Sequence, residues 1–279
     1  IESTAGDSHP GSGHLGRLVE KVREGILAAG GFGARYTCTD ICDGESQGTD
    51  GINYSLVSRE MIAGMIEIHA GATPFDAGVF IASCDKGLPG NLMGLCRADI
   101  PSVVLPGGTM NAGPRLLTLE QLGAYSARFE RGEIGREELD WAKQNACPSC
   151  GACSFIGTAS TMQIMSEALG LTLPGSALIP AEGEDLIRYA FRAGERAVEI
   201  AGRDEFKPSR LLTVESFENA IIVHAAVSGS TNCLLHLPAI AHELGITIDG
   251  DTFDRLHRKV PFIVNLRPAG KWPAEFFYY

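Results

Sequence analysis

The chain has 279 residues, 44% of them apolar, and 23 Lys+Arg against 34 Asp+Glu give it a formal charge of −11. That length suits one large or two ordinary domains with a sizeable core, and the acidic balance excludes a general nucleic-acid or anionic-membrane binder, which needs a basic face. No apolar run approaches the ~18–20 residues of a membrane span, and the polar opening IESTAGDSHPGSG is not a secretory signal, so a cytoplasmic protein is expected.

Leu15, Leu18, Val19, Val22 and Ile26 are spaced for one helical face, which predicts a helix over 14–31 stopped by Gly30-Gly31. A short extended piece leads into the polar, Gly-rich loop 36–51, and residues 54–70 read as a second amphipathic helix with Leu56, Ile62, Met65 and Ile66 on its apolar face. Residues 78–83 (GVFIAS) have the composition of a buried strand and end in Cys84-Asp85-Lys86-Gly87. A further strand over 102–105 ends in Pro106-Gly107-Gly108. Residues 119–145 are charged and read as helix. Cys147, Cys150 and Cys153 then precede a helix capped by Thr158 or Ser160 and stopped by Gly170. Helices follow over 182–200, 214–227 and from the SGSTN turn (228–232) through Leu244, and 259–266 is strand-like. Strand, Gly-rich turn, helix and strand in alternation predict an α/β fold: a layered domain with a mostly parallel central sheet flanked by helices. Ligands of such sheets bind beyond the carboxyl ends of the strands, where CDKG and PGG fall.

The eight cysteines are too few for a disulfide scaffold in a chain this long. Three of them form C-x2-C-x2-C at 147–153, a spacing that can converge on a soft metal centre and that ferredoxin-type clusters resemble. Structural zinc would require four ligands, and no second CxxC or H-x3–5-H is present. A redox CxxC lacks its thioredoxin-like setting, and simple packing of small apolar thiols is the remaining reading. Cys84-Asp85-Lys86 joins a thiol, a carboxylate and an amine. The carboxylate suits a hard cation such as Mg2+ and the thiolate suits iron. Cys42-Asp43-Gly44 repeats the pairing, so these segments are either two surface turns or one mixed site. None of the seven histidines makes an i, i+4 pair, and His69, His224, His236 and His242 read as core or surface groups. The SGSTN turn is either an anion-binding helix start or an ordinary cap.

These segments resemble the dihydroxyacid dehydratase / phosphogluconate dehydratase family. The resemblance rests on CDG-x-x-Q-G-x-x-G (42–51), SLVSRE (55–60), CDKGLPG (84–90), PGGTMNAG (106–113), CGACSFIGTASTM (150–162), EALGLTLPGSA (167–177) and GSTNCLLHLPAIAHELGI (229–246), and it extends from His14 to Lys271. The wording is most similar to the sugar-acid (aldonate, xylonate-type) branch. The resemblance implies an iron–sulfur cluster of the 2Fe-2S or 4Fe-4S type, with Cys84 and Cys153 as ligands and Cys147 and Cys150 less suited. It also implies Mg2+ held by Asp43, Asp85 and Lys86, the lysine as its carbamate, an oxygen-donor anion fit for a hard metal. Some relatives carry a further cluster cysteine in a PC-x-x-HL context. Here the stretch reads HPGSGHL with Gly11 at that place, which leaves two alternatives: Cys42 as the substitute, or a four-iron cluster with fewer protein ligands.

Family members are about twice this length and complete the site with a C-terminal barrel-like domain that supplies the catalytic base. Residues 1–279 therefore resemble the N-terminal cluster- and Mg2+-binding domain alone. The implied activity is a hydro-lyase that dehydrates a 2,3-dihydroxy sugar acid to a 2-keto-3-deoxy acid, in a homodimer or homotetramer. The alternatives are the dihydroxyacid dehydratase of branched-chain amino-acid biosynthesis, phosphogluconate dehydratase and a non-catalytic metal-binding module.

Overall fold

The computed structural model describes residues 1–279 and is built on one four-stranded parallel sheet in the order β2-β1-β3-β4. The strands are β1 (Glu2–Ser3), β2 (Tyr36–Thr37), β3 (Gly78–Ala82) and β4 (Ser102–Pro106). Glu2 pairs with Tyr36 on one side and Phe80 on the other, and Gly78 through Ala82 pair with Ser102 through Pro106. Every residue of β3 and β4 is buried, as expected of parallel strands covered on both faces.

Alternation along the strands divides the interior in two. Val79, Ile81, Val103 and Leu105 join a 16-residue core with α1 (Leu15–Ala28) and α7 (Glu184–Ile200). Phe80, Ala82 and Val104 face a 34-residue core on the other side. That core is built with α2 (Ser55–Ala72), α3 (Gly87–Ala98), α6 (Thr158–Ala168), α8 (Val214–Ala226), α9 (Cys233–His242) and α10 (Gly250–His257). Helices α1 and α7 cross at Gly25 and Gly194. A Cβ on Gly25 would stand 2.0 Å from the Phe191 carbonyl oxygen, and one on Gly194 would stand 2.2 Å from that of Val22. No helix is long and apolar enough to cross a membrane.

Several elements depart from the sequence expectation. Strand β1 lies at the centre of the sheet, although Glu2-Ser3 is too short and polar to show a strand pattern. The charged stretch 119–145 is two helices, α4 (Leu122–Glu130) and α5 (Arg136–Asn145). Gly132, at φ +72°, ends the first, with the Glu133 N–H bonded back to the Arg128 carbonyl at 2.9 Å. The expected strand over 259–266 is a largely exposed extended segment that begins at Pro261, with Ile263 at 72% exposure and a single bridge, from Leu266 to Trp272, in place of a strand partner. Helix α10, capped by the Asp249 carboxylate on the Thr252 N–H at 2.8 Å, escaped the periodicity reading. Helix α6 begins after Gly157, with Thr158 and Ser160 inside it, buried and turned to the site. On α2 only Ile62 and Ile66 of the four expected apolar positions are buried, while Leu56 and Met65 face outward.

Candidate metal and cluster site

The carboxyl ends of all four strands converge on one corner, and each contributes a segment. The chain leaving β1 carries His9 and Gly11, that leaving β2 carries Asp40, Cys42 and Asp43, and β3 runs directly into Cys84-Asp85-Lys86. Beyond β4, the Gly107-Gly108 turn holds the cysteine loop. The Ala152 N–H donates to the Gly108 carbonyl at 2.9 Å, the Met110 N–H to the Ala152 carbonyl at 2.8 Å and the Gly151 N–H to the Pro10 carbonyl at 3.0 Å. Gly151 sits at φ +109°, and a Cβ there would lie 2.7 Å from the Met110 nitrogen, so only glycine lets this loop dock. The docked loop delivers Cys153, whose carbonyl accepts from the Ser160 hydroxyl at 3.1 Å.

The hard-ligand half is a compact ion cluster. The Lys86 ammonium donates to Asp43 Oδ2 at 2.7 Å and to Asp85 Oδ1. Ser55 Oγ, at the start of α2, donates to the Asp43 carboxylate at 2.7 and 2.8 Å. Thr158 hydrogen-bonds Asp85. Burial and the neighbouring Asp43 raise the Asp85 carboxyl, against the pull of Lys86. Burial lowers the Lys86 ammonium, but the two carboxylates outweigh it and its pKa stands above the ordinary lysine value. Two carboxylates converging on a single point form an oxygen donor set for a hard cation, and the Lys86 ammonium holds that point as their counter-charge.

The soft-ligand half adjoins it. Ligand-type atoms of His9, Cys42 and Cys84 all lie within 4.8 Å of one another. The Cys42 and Cys84 thiols face each other, and a bond between them favours ionisation of Cys42 over Cys84. Cys42 is pulled down to about 6, chiefly by that bond, while the same bond and then burial raise Cys84. Cys153 is within electrostatic reach of both, and burial pushes its thiol up. Of the discounted pair, Cys147 is exposed and lies near Cys42, whereas Cys150 packs against the α1/α7 core. Cys38, Cys96 and Cys233 are buried in the larger core.

The six residues singled out from the sequence thus lie in one place, reached from three segments of the chain. Sequence reasoning missed His9, Asp40, Ser55 and Thr158. It sought histidine ligands as i, i+4 pairs, but here donors converge from separate strand ends. The SGSTN turn lies beside the cluster as a structural cap: Ser230 Oγ and Asn232 Nδ2 contact Thr158 Oγ1 at 3.2 and 2.6 Å, and the Ser230 N–H donates to Thr161 Oγ1 at 3.0 Å. A surface hollow of about 530 Å3 lies elsewhere, among Ile1, Ile26, Phe32, Phe75 and Val198. It gathers no convergent polar groups.

Fold and site together define an α/β domain that presents a mixed soft and hard ligand set at the carboxyl edge of a parallel sheet. The chain belongs to the dihydroxy-acid/6-phosphogluconate dehydratase N-terminal family, whose match covers residues 1–279. It is 45% identical over 277 residues to a dihydroxy-acid dehydratase of Caldicellulosiruptor saccharolyticus, covering 97% of this chain and 49% of that protein. It is 41% identical over 273 residues to the enzyme of that name from Nitratidesulfovibrio vulgaris (97% and 49%), and 40% over 281 residues to that of Halothermothrix orenii (100% and 51%). The chain spans about half the length of the curated relatives it matches. Their names favour the dihydroxy-acid alternative over the sugar-acid reading of the sequence.

Proposed function

We propose that this chain is the cluster- and Mg2+-binding half of a dihydroxy-acid dehydratase, a hydro-lyase that removes water from C2–C3 of a 2,3-dihydroxy acid to give a 2-keto acid. The observation that carries this is the junction of Asp43, Asp85 and Lys86, tied at 2.7 Å, with the thiols of Cys42, Cys84 and Cys153 at the carboxyl edge of the sheet.

The residues present fit the cofactors. The Cys42 and Cys84 thiols converge with His9, and the buried His9 Nδ1 beside them has no partner. Asp43, Asp85 and Lys86, the last as its carbamate, would hold Mg2+, and Cys84 and Cys153 would hold the iron–sulfur cluster. When bound, these groups supply Lewis acidity at the leaving C3 hydroxyl and neutralise the substrate carboxylate and the negative charge that develops at C2. The chain's own part is positional. Ser55 fixes the Asp43 carboxylate, and Thr158, braced by Ser230 and Asn232, fixes Asp85. The catalytic base belongs to the part of a longer protein that lies outside these residues.

A reducing cytoplasmic setting is supported by eight cysteines that are all free thiols. Assembly as a homodimer or homotetramer is supported by the apolar outer face of α2, where Val57, Met61 and Ile68 are 55, 63 and 62% exposed. The full-length protein, reconstituted anaerobically with iron, sulfide and Mg2+, is expected to convert 2,3-dihydroxyisovalerate to its 2-keto acid. Turnover of aldonates alone would restore the sugar-acid reading, and turnover of neither would sink the proposal.

A further inference from the structure

We propose that His9 Nδ1 is a direct ligand of the iron–sulfur cluster in this chain and fills the place that a cysteine would occupy at Gly11. The inference rests on the cluster reading above and adds the identity of the third protein ligand, for which the sequence had offered Cys42.

The argument begins with an orphaned atom. His9 is 5% exposed, and its Nδ1 is buried without a hydrogen-bond partner. A buried polar atom left unpaired is costly, and this one stands beside two thiols, so it calls for an occupant. Its ring is not loose. Nε2 lies 2.9 Å from Asp40 Oδ1 and 3.2 Å from Ser12 Oγ. A carboxylate acceptor at Nε2 selects the tautomer that carries its proton there and leaves the lone pair on Nδ1. This carboxylate–histidine arrangement is the one that orients metal-bound imidazoles and raises their basicity.

The lone pair also points to the right place. A ligand atom of His9 lies within 4.8 Å of both Cys42 Sγ and Cys84 Sγ. A Cβ built on Gly11 would stand 3.0 Å from Cys84 Sγ and 3.0 Å from His9 Nδ1. A side chain at position 11 would therefore enter the space between the thiol and the imidazole, and glycine leaves that space open. Cys42 has less need of the role. It is half-exposed at the start of a single helical turn (Asp43–Ser46), and its thiol already has Cys84 as partner.

Asp40 is itself held in place. It is 2% exposed, and a Cβ on Gly87 would lie 2.3 Å from its Oδ2. The glycine after Cys84-Asp85-Lys86 thus permits the close approach of the carboxylate that orients His9. Asp40 is a positioning residue in this account.

The test is pulsed electron paramagnetic resonance on the reduced cluster of the full-length, anaerobically reconstituted protein, grown with 15N-histidine. The expected result is the strong nitrogen coupling of a directly bound imidazole, lost in His9→Ala and His9→Cys and retained in Cys42→Ser. His9→Cys should keep its iron and sulfide while its reduction potential moves lower, because histidine in place of thiolate raises cluster potentials. A cluster without nitrogen coupling in the unmodified protein, or coupling that persists in His9→Cys, overturns the inference but leaves the cluster reading standing. If the unmodified protein binds no iron or sulfide, the cluster reading falls and takes this inference with it.

Discussion

Cys96 and Cys233 differ from Cys42 and Cys84 in nothing but surroundings. Cys96, on α3, and Cys233, on α9, are sealed in the larger core, and burial, aided by nearby carboxylates, drives both thiols up, out of reach of ionisation at neutral pH. Cys84 is as buried as they are, but it faces a second thiol, an imidazole and the Asp85/Lys86 corner. The mutual bond that raises Cys84 lowers Cys42 to about 6. Burial by itself makes a cysteine inert. Burial opposite another ligand makes it a binding site, and the partner arrives from a different strand end in every case.

The sharpest way to break this comparison is to remove one thiol from each group. Cys84→Ser is expected to bring reconstituted iron and sulfide to background and to lower dehydration at least ~100-fold, while changing the melting temperature of the metal-free protein little. Cys96→Ser should keep full iron and sulfide and instead lose ~1–3 kcal/mol of stability, because a hydroxyl is buried without a partner. Iron and sulfide assays beside denaturant melts read both. Equal iron loss in the two variants would end the distinction.

A second variant sharpens the hard half. The Lys86 side chain is 7% exposed and neutralises two carboxylates. Lys86→Met leaves Asp43 and Asp85 facing each other uncompensated, and is expected to destabilise the metal-free protein by ~3 kcal/mol. Added Mg2+ should recover part of that loss, since a divalent cation replaces the missing charge. A titration of the melting temperature against Mg2+ measures it, and a flat response would mean that the carboxylates do not form a cation site.

The effect that is smallest at neutral pH, and grows only toward acid, concerns His236, at the far side of the Asp43/Lys86 corner. Its Nδ1 accepts from Arg59 at 3.0 Å, and burial, followed by the Arg59 charge, lowers its pKa to about 3. The unfolded chain takes up a proton near the ordinary ~6.5 while the folded chain does not, so stability falls as the pH drops from ~6.5 toward 3, by at most ~1.4 kcal/mol per unit. His236→Gln should remove this slope. Melting temperatures of the two proteins across that window should then converge toward acid, and parallel curves would refute the assignment.

Much of the candidate site was legible because chemistry and sequence are adjacent there. Cys84-Asp85-Lys86 and Cys42-Asp43 each place a soft donor beside a hard one, and the apolar run 78–82 announces the strand that carries the first of them. What stayed hidden is what comes from tertiary pairing. Glu2-Ser3 has no strand pattern, yet it is held in the sheet from both sides, so its hydrogen bonds come from chain that follows it by 34 and 78 residues. His9 looked like one of seven scattered histidines because its meaning depends on Asp40, Gly11 and Cys84, none of them at helical spacing. Hydrophobic composition predicted a strand over 259–266, but Pro261 and the lack of a neighbouring edge leave it with one bridge, Leu266 to Trp272. Gly132 divided the expected helix 119–145, because a backbone that turns to φ +72° ends a helix whatever charges surround it.

The central position of β1 has a consequence for how the protein is made. Strands β3 and β4 and the helix between them come from contiguous chain, whereas Glu2-Ser3 must wait for residue 80 to be synthesised before its second edge is satisfied. Its insertion is the event that joins β2 to the rest of the sheet, and it carries His9 and Gly11 to Cys84 in the same movement. On the proposed reading, cofactor loading would therefore report closure of the longest loop in the sheet. Deletion of Glu2-Ser3 would then act as a remote defect in cofactor incorporation, with most of the helical mass intact and the corner of His9, Cys42 and Cys84 left open.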